Sequence, residues 1–229
     1  MGNFDAATTR RKIKTTIPSS LGVRPSIIHI VSHEASNLKQ KPERPMLTQG
    51  FPPPDPPITV IGLGSNLGDR RATIEAAIDA ISKLPGVEVV ARSTLWRTDP
   101  FPPSPPHGHP QPDFYNAAIA IRNPAPLDEL MADLLAIEAR FGRTRGEKNA
   151  PRTLDLDLLW VEGKRIRISE PGRPEVEVPH PRLHERPFAL VPLLEVAPGA
   201  ADPTTGKLYA LLLAELGAEG VAPLDSSGA

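Results

Sequence analysis

The sequence predicts an α+β fold: a ferredoxin-like split βαβ sandwich, a mostly antiparallel sheet with helices packed on one face. Three observations predict it. From Ile58 onward, short apolar runs of strand length alternate with stretches of helical period. The order reads β-α-β-β-α-β, that of a split βαβ unit. The segments between them are punctuated by Pro and Gly pairs.

Each element follows from its residues. Ile58-Thr59-Val60-Ile61-Gly62-Leu63 reads as a strand. Over 69–84, Ile74, Ala77, Ile78, Ile81 and Leu84 share a helical face behind a candidate N-cap, Asp69, and Pro85-Gly86 stops the helix. Val87 to Thr98 reads as one long strand, and Phe114 to Arg122 as another. Pro124-Ala125-Pro126 opens a second helix striped by Leu127, Leu130, Met131, Leu134, Ile137 and Phe141. A strand at Leu154–Val161, a hairpin running to Glu175–Val178 and a helix near Leu208–Leu216 complete the series.

Nine of the 29 prolines fall in residues 1–57, ending in Pro52-Pro53-Pro54-Asp55-Pro56-Pro57, and seven more lie between Pro100 and Pro112. Proline lacks the donor N–H and fixes its own φ, so neither stretch suits a regular element. Residues 1–57 also carry eight Lys/Arg against four Asp/Glu. They read as a disordered Pro-rich basic leader, open to three roles: a dispensable extension, a targeting segment around Arg10-Arg11-Lys12, or a partner-binding tail. The domain proper is expected over 58–217, with 218–229 as a flexible C-terminal tail.

The chain has 229 residues, 26 Lys+Arg, 27 Asp+Glu and no cysteine. That charge balance argues against a nucleic-acid or anionic-membrane coat, and no apolar run is long enough to span a bilayer. The missing cysteines exclude disulfides, thiolate zinc sites and thiol nucleophiles, and suit a reducing compartment, the cytoplasm.

The strongest chemical signal is Pro151-Arg152-Thr153-Leu154-Asp155-Leu156-Asp157-Leu158. On a strand, alternate residues share a face. Leu154, Leu156 and Leu158 then face a core while Asp155 and Asp157 face outward together, their Cα atoms roughly 6.5–7 Å apart. Two carboxylates so placed suit Mg²⁺, which keeps several waters and takes substrate phosphates; the competing reading is an acidic strand face. Just upstream, Arg140, Arg143, Arg145, Lys148 and Arg152 make a cationic loop, either a solvated basic segment or a phosphate clamp.

Gly62-Leu63-Gly64-Ser65-Asn66-Leu67-Gly68 resembles a dinucleotide loop but puts leucine at 67, where the third glycine belongs, so it reads as a tight turn into the helix. No P-loop occurs. His180, in Val178-Pro179-His180-Pro181, is open to structural and functional readings. His107-Gly108-His109 lacks nearby acidic ligands, and Asn116 is a candidate reader of a heterocycle's edge.

Together, Gly64-Ser65-Asn66-Leu67-Gly68, Ser93-Thr94-Leu95-Trp96-Arg97-Thr98, Pro112-Asp113-Phe114-Tyr115-Asn116-Ala117-Ala118, Pro151 to Asp157, Val178-Pro179-His180-Pro181 and Arg186-Pro187-Phe188 resemble, in order, the hydroxymethyldihydropterin pyrophosphokinase family. The resemblance covers about residues 58–216. It implies transfer of pyrophosphate from ATP to the hydroxymethyl group of a reduced pterin, releasing AMP, in folate biosynthesis. It further implies two Mg²⁺ on Asp155 and Asp157, and Arg143 and Arg152 acting on the transferring group. Glu138, Arg145, His180 and Arg186 would meet ATP. Thr98, Phe114, Asn116 and Phe188 would line the pterin pocket, and 100–112 and 142–151 would be mobile loops.

Two departures from the family stand out. Lys148-Asn149-Ala150 replaces a longer segment that carries tryptophan in some members, and Phe114 stands where some have tyrosine. The small-molecule partners are ATP and the pterin, without nucleic acid or membrane, and the expected state is a monomer. The competing classes are a ferredoxin-like RNA- or small-molecule-binding module, which would stack bases on sheet aromatics, and a dinucleotide oxidoreductase. Only ten aromatics occur in the chain, and the glycine spacing disfavours the latter.

Overall fold

A computed structural model describes residues 55–101, 111–143 and 150–224. Of the leader, residues 1–54 lie outside the described residues, as do His107, His109, Arg145, Lys148 and most of both expected loops.

The sheet runs β5 (Asp155–Val161), β1 (Ile58–Ser65), β4 (Phe114–Arg122), β3 (Trp96–Thr98) and β8 (Val221–Pro223), with β2 (Glu88–Arg92) also on β4. Every pairing is antiparallel. With α1 (Arg70–Ser82) and α2 (Leu127–Arg140), this is the predicted split βαβ arrangement. β6 (Ile166–Ile168) and β7 (Val176–Val178) form a separate ribbon, the expected hairpin.

The helical periods predict their buried faces. Asp69 accepts the Ala72 N–H at 3.0 Å and caps α1, whose Ile74, Ala77, Ile78 and Ile81 are buried. In α2, Leu130, Leu134 and Ile137 are buried. These side chains pack on Ile61, Leu63, Ile119, Ile121, Leu156 and Leu158. Truncating any of the fully enclosed ones to Ala costs about 2–5 kcal/mol.

The structure differs from expectation in three places. Helices cover both faces. The second carries α3 (Pro187–Val196) and α4 (Tyr209–Leu216), which enclose Val60, Ala118, Ala120 and Leu159. α3 escapes a periodicity reading because Phe188-Ala189-Leu190-Val191-Pro192-Leu193-Leu194 is apolar all round and contains a proline. The long strand Val87–Thr98 is broken: Ser93 Oγ accepts the Ala118 N–H, and the Thr94 N–H turns to the Glu195 carboxylate at 2.6 Å. Finally, 221–223, expected within the flexible tail 218–229, forms β8, because its backbone pairs with the otherwise open edge of β3. No helix among the described residues is long and apolar enough to cross a membrane.

Candidate active site

The sheet face covered by α3 opens into a cleft where β1, β4 and β5 meet the start of that helix. β1 extends two residues beyond the predicted strand, so Gly64, like Gly62, is a strand residue rather than part of a turn. Register does the rest. Gly64 lies opposite Asp155 on one side and Asn116 on the other, and Gly62 lies opposite Asp157. Directly opposed residues share a face. The two carboxylates therefore do project together, flanking a glycine floor with Asn116 across it. A Cβ on Gly64 would come 2.9 Å from Asn116 Oδ1, so that floor must be bare.

On the carboxylate side, Arg143 Nη1 meets Asp155 Oδ1 at 2.7 Å and Arg152 Nη1 meets Asp155 Oδ2 at 2.9 Å. Arg186 Nη1 meets Asp157 Oδ2 at 3.2 Å. Burial, and then the like charge of Asp155, push Asp157 up to about 6 against the pull of these arginines. Two part-enclosed carboxylates that repel each other are the donor set a hard divalent cation would relieve. Among the described residues no group of three or more His, Asp or Glu side chains converges to cage an ion. The pair therefore fits a hydrated Mg²⁺ completed by substrate oxygens rather than a structural cation.

Across the floor, Asn116 Nδ2 donates to Thr98 Oγ1 at 2.6 Å, with both residues buried. Phe114 lies opposite Thr98 across the β3–β4 pair. Phe188, at the start of α3, closes this end with its ring centroid 5.8 Å from that of Phe101.

One cleft thus gathers Asp155, Asp157, Arg143, Arg152, Arg186, Thr98, Phe114, Asn116 and Phe188. His180 lies behind it, lining a neighbouring cavity with Asp202 and Tyr209, while its Nε2 stands 3.4 Å from Arg186 Nη1. Its Nδ1 accepts the Arg182 N–H, and burial followed by the Arg186 charge lowers its pKa to about 4, so the ring is neutral at physiological pH.

Glu138, expected against the nucleotide, does not line the cleft. It is 3% exposed on α2, accepts the Leu156 N–H at 2.7 Å and pairs with Arg143. The physical reason is that β5 is an edge strand, and Glu138 satisfies one of its open N–H groups. Sequence reasoning missed Gly62, Gly64, Phe101 and Arg182 as cleft residues. Only the glycines carried a signal, their alternation at 62 and 64 within an apolar run.

A family model described as 7,8-dihydro-6-hydroxymethylpterin-pyrophosphokinase (HPPK) matches residues 60–198. A 2-amino-4-hydroxy-6-hydroxymethyldihydropteridine pyrophosphokinase from Synechocystis sp. is 39% identical over 165 residues, 72% of this chain and 79% of that protein. The protein of that name from Pseudomonas aeruginosa is 41% identical over 155 residues, 67% of this chain and 89% of its own. Among solved structures, an HPPK-DHPS in complex with substrates superposes with a TM-score of 0.51 at 13% identity, over 70% of this chain and 43% of that one. That last likeness is one of fold, and this chain spans under half of that larger structure.

Proposed function

Because the chain belongs to the 7,8-dihydro-6-hydroxymethylpterin-pyrophosphokinase family, we propose that it transfers pyrophosphate from ATP to the hydroxymethyl group of 6-hydroxymethyl-7,8-dihydropterin, releasing AMP, in folate biosynthesis. One observation carries the assignment of roles: the carboxylate–arginine cluster and the Thr98–Asn116 pair stand on opposite sides of the bare Gly64 floor.

The reaction is in-line attack of the pterin's hydroxyl oxygen on the β-phosphorus, with AMP leaving. Asp155 and Asp157 would hold two Mg²⁺, which when bound would neutralise triphosphate charge. Arg143 and Arg152 stand next to that position and stabilise charge on the transferring group. Arg186 holds the nucleotide phosphates, and the His180 ring 3.4 Å behind its Nη1 is neutral and so adds no competing charge. Arg145 is placed on ATP by the family pattern alone.

Thr98 and Asn116 read the pterin's pyrimidine edge, offering a donor and an acceptor whose orientation their mutual hydrogen bond fixes. Phe114 and Phe188 supply ring contact. Since Phe188 lies near the arginines and Asn116 across the floor from Asp155, a pterin bound there directs its hydroxymethyl arm towards the phosphates. Burial in this crevice then amounts to positioning, which supplies much of the acceleration in such transfers.

The catalytic domain is taken as 58–217 with β8 added, acting as a monomer in the cytoplasm; the lack of cysteine supports that compartment. Incubation with ATP, Mg²⁺ and hydroxymethyldihydropterin tests the reading. AMP and the pterin pyrophosphate are the expected products. ADP would replace it with an ordinary kinase, and absence of nucleotide turnover with a binding module.

A further inference from the structure

Arg143 is shared. Its Nη1 lies between Glu138 Oε1 and Asp155 Oδ1, and Asp155 already has Arg152 on its other oxygen. The two acceptors differ in kind. Glu138 is enclosed, fixed by the Leu156 N–H, and turned away from the cleft, whereas Asp155 faces it. A cation that takes the Asp155 carboxylate repels the guanidinium beside it. What that guanidinium then does depends on whether another carboxylate stays within reach. Glu138 is that carboxylate, and its burial keeps its own charge short of partners other than Arg143 and a backbone amide.

We infer that Glu138 is a positioning residue that retains Arg143 when a divalent cation occupies Asp155, so that cation binding and placement of Arg143 are coupled through the α2–β5 contact. This rests on the reading of Asp155 as a metal ligand. Without Glu138, the cation must strip Arg143 of its last carboxylate partner and leave a guanidinium unpaired in a partly buried site, which is costly. Without Arg143, the cation meets one competitor fewer.

The experiment measures affinity for Mn²⁺ alone, without nucleotide, by the loss of its free EPR signal on titration with the full-length protein. Glu138→Gln keeps the shape and the acceptor for Leu156 N–H; it is expected to weaken Mn²⁺ binding by about fivefold or more, the scale of coupled binding free energies. Arg143→Ala is expected to tighten it by a comparable factor. In the Arg143→Ala background, Glu138→Gln is expected to change nothing further. Purely electrostatic attraction of the ion by Glu138 would instead weaken binding equally in both backgrounds, and that result overturns the inference.

Should Glu138→Gln not fold, Arg143→Ala decides alone, and unchanged affinity there overturns it. Asp155→Asn separates the two levels. Loss of Mn²⁺ binding in it with no coupling between 138 and 143 defeats the inference but leaves the metal assignment. Undiminished binding in it defeats both.

Discussion

Asn116 and Thr98, on neighbouring strands, share one hydrogen bond of 2.6 Å in which the Asn116 amide is the donor. That bond uses one N–H of the amide and one lone pair of the hydroxyl. It leaves the Asn116 carbonyl to accept and the Thr98 proton to be given. A heterocycle edge bearing both a donor and an acceptor would find its counterpart already oriented.

Replacing Thr98 with Val keeps the volume but removes this acceptor, leaving a buried Asn116 N–H without its partner. Sites that hydrogen-bond their substrate lose discrimination and affinity steeply when a polar partner is removed. KM for the pterin should rise at least about tenfold, with KM for ATP little changed. Steady-state kinetics with each substrate varied would expose the assignment as wrong if the ATP constant moved instead.

Asp157→Asn should lower turnover by on the order of a hundredfold or more while leaving the fold intact, since Asp157 faces the cleft and not the core. Its pH signature has a definite sign. The folded pKa, about 6, is raised above the ordinary 3.8, so ionised Asp157 disfavours the folded state. That penalty is complete above pH 6 and fades as pH falls towards 3.8. In the cation-free protein, the difference in Tm between wild type and Asp157→Asn should therefore shift in favour of wild type from pH 7 to pH 4.5. His180 is common to both and cancels. A flat or opposite trend in paired thermal melts counts against the burial of Asp157 beside a second carboxylate.

Gly64→Ala places a methyl 2.9 Å from Asn116 Oδ1, below ordinary contact distance, and the amide cannot swing away without breaking its bond to Thr98. Overpacking of this kind costs about 1–3 kcal/mol. The expected result is a lower Tm and a raised pterin KM together. A variant that melted like wild type and bound pterin equally well would show the floor to be slack.

Truncation after Gly217 removes β8. Val221 pairs with Thr98, and the Asp99 N–H donates to Gly220 O at 3.0 Å, so the strand bearing Thr98 loses its outer neighbour. Pterin affinity should fall more than ATP affinity, because the ATP-side residues sit on β5 and around α3. Isothermal titration of the truncated chain with each ligand checks this; equal affinities before and after would return 218–229 to the role of a flexible tail.

Much of this was legible locally. A period of two put Asp155 and Asp157 on one face, and a period near 3.6 marked the buried sides of α1 and α2, because side-chain direction follows directly from backbone geometry. The cationic residues were visible as a cluster. Their allegiance was not. Arg143 and Arg152 share Asp155 while Arg186, 29 residues on from Asp157, takes that carboxylate.

The sequence by itself determined the split βαβ order, the paired carboxylates, the nearby cations and the family motifs, each of them read from residues only a few positions apart. Only the tertiary structure decided that helices cover both faces, that Glu195 breaks the strand at Thr94 from 101 residues away, and that Glu138 lies under β5 rather than in the cleft. The reason is the range of the forces. Dihedral preferences and side-chain periodicity act between near neighbours, while these contacts depend on edge N–H groups and carboxylates that meet only once the sheet has closed.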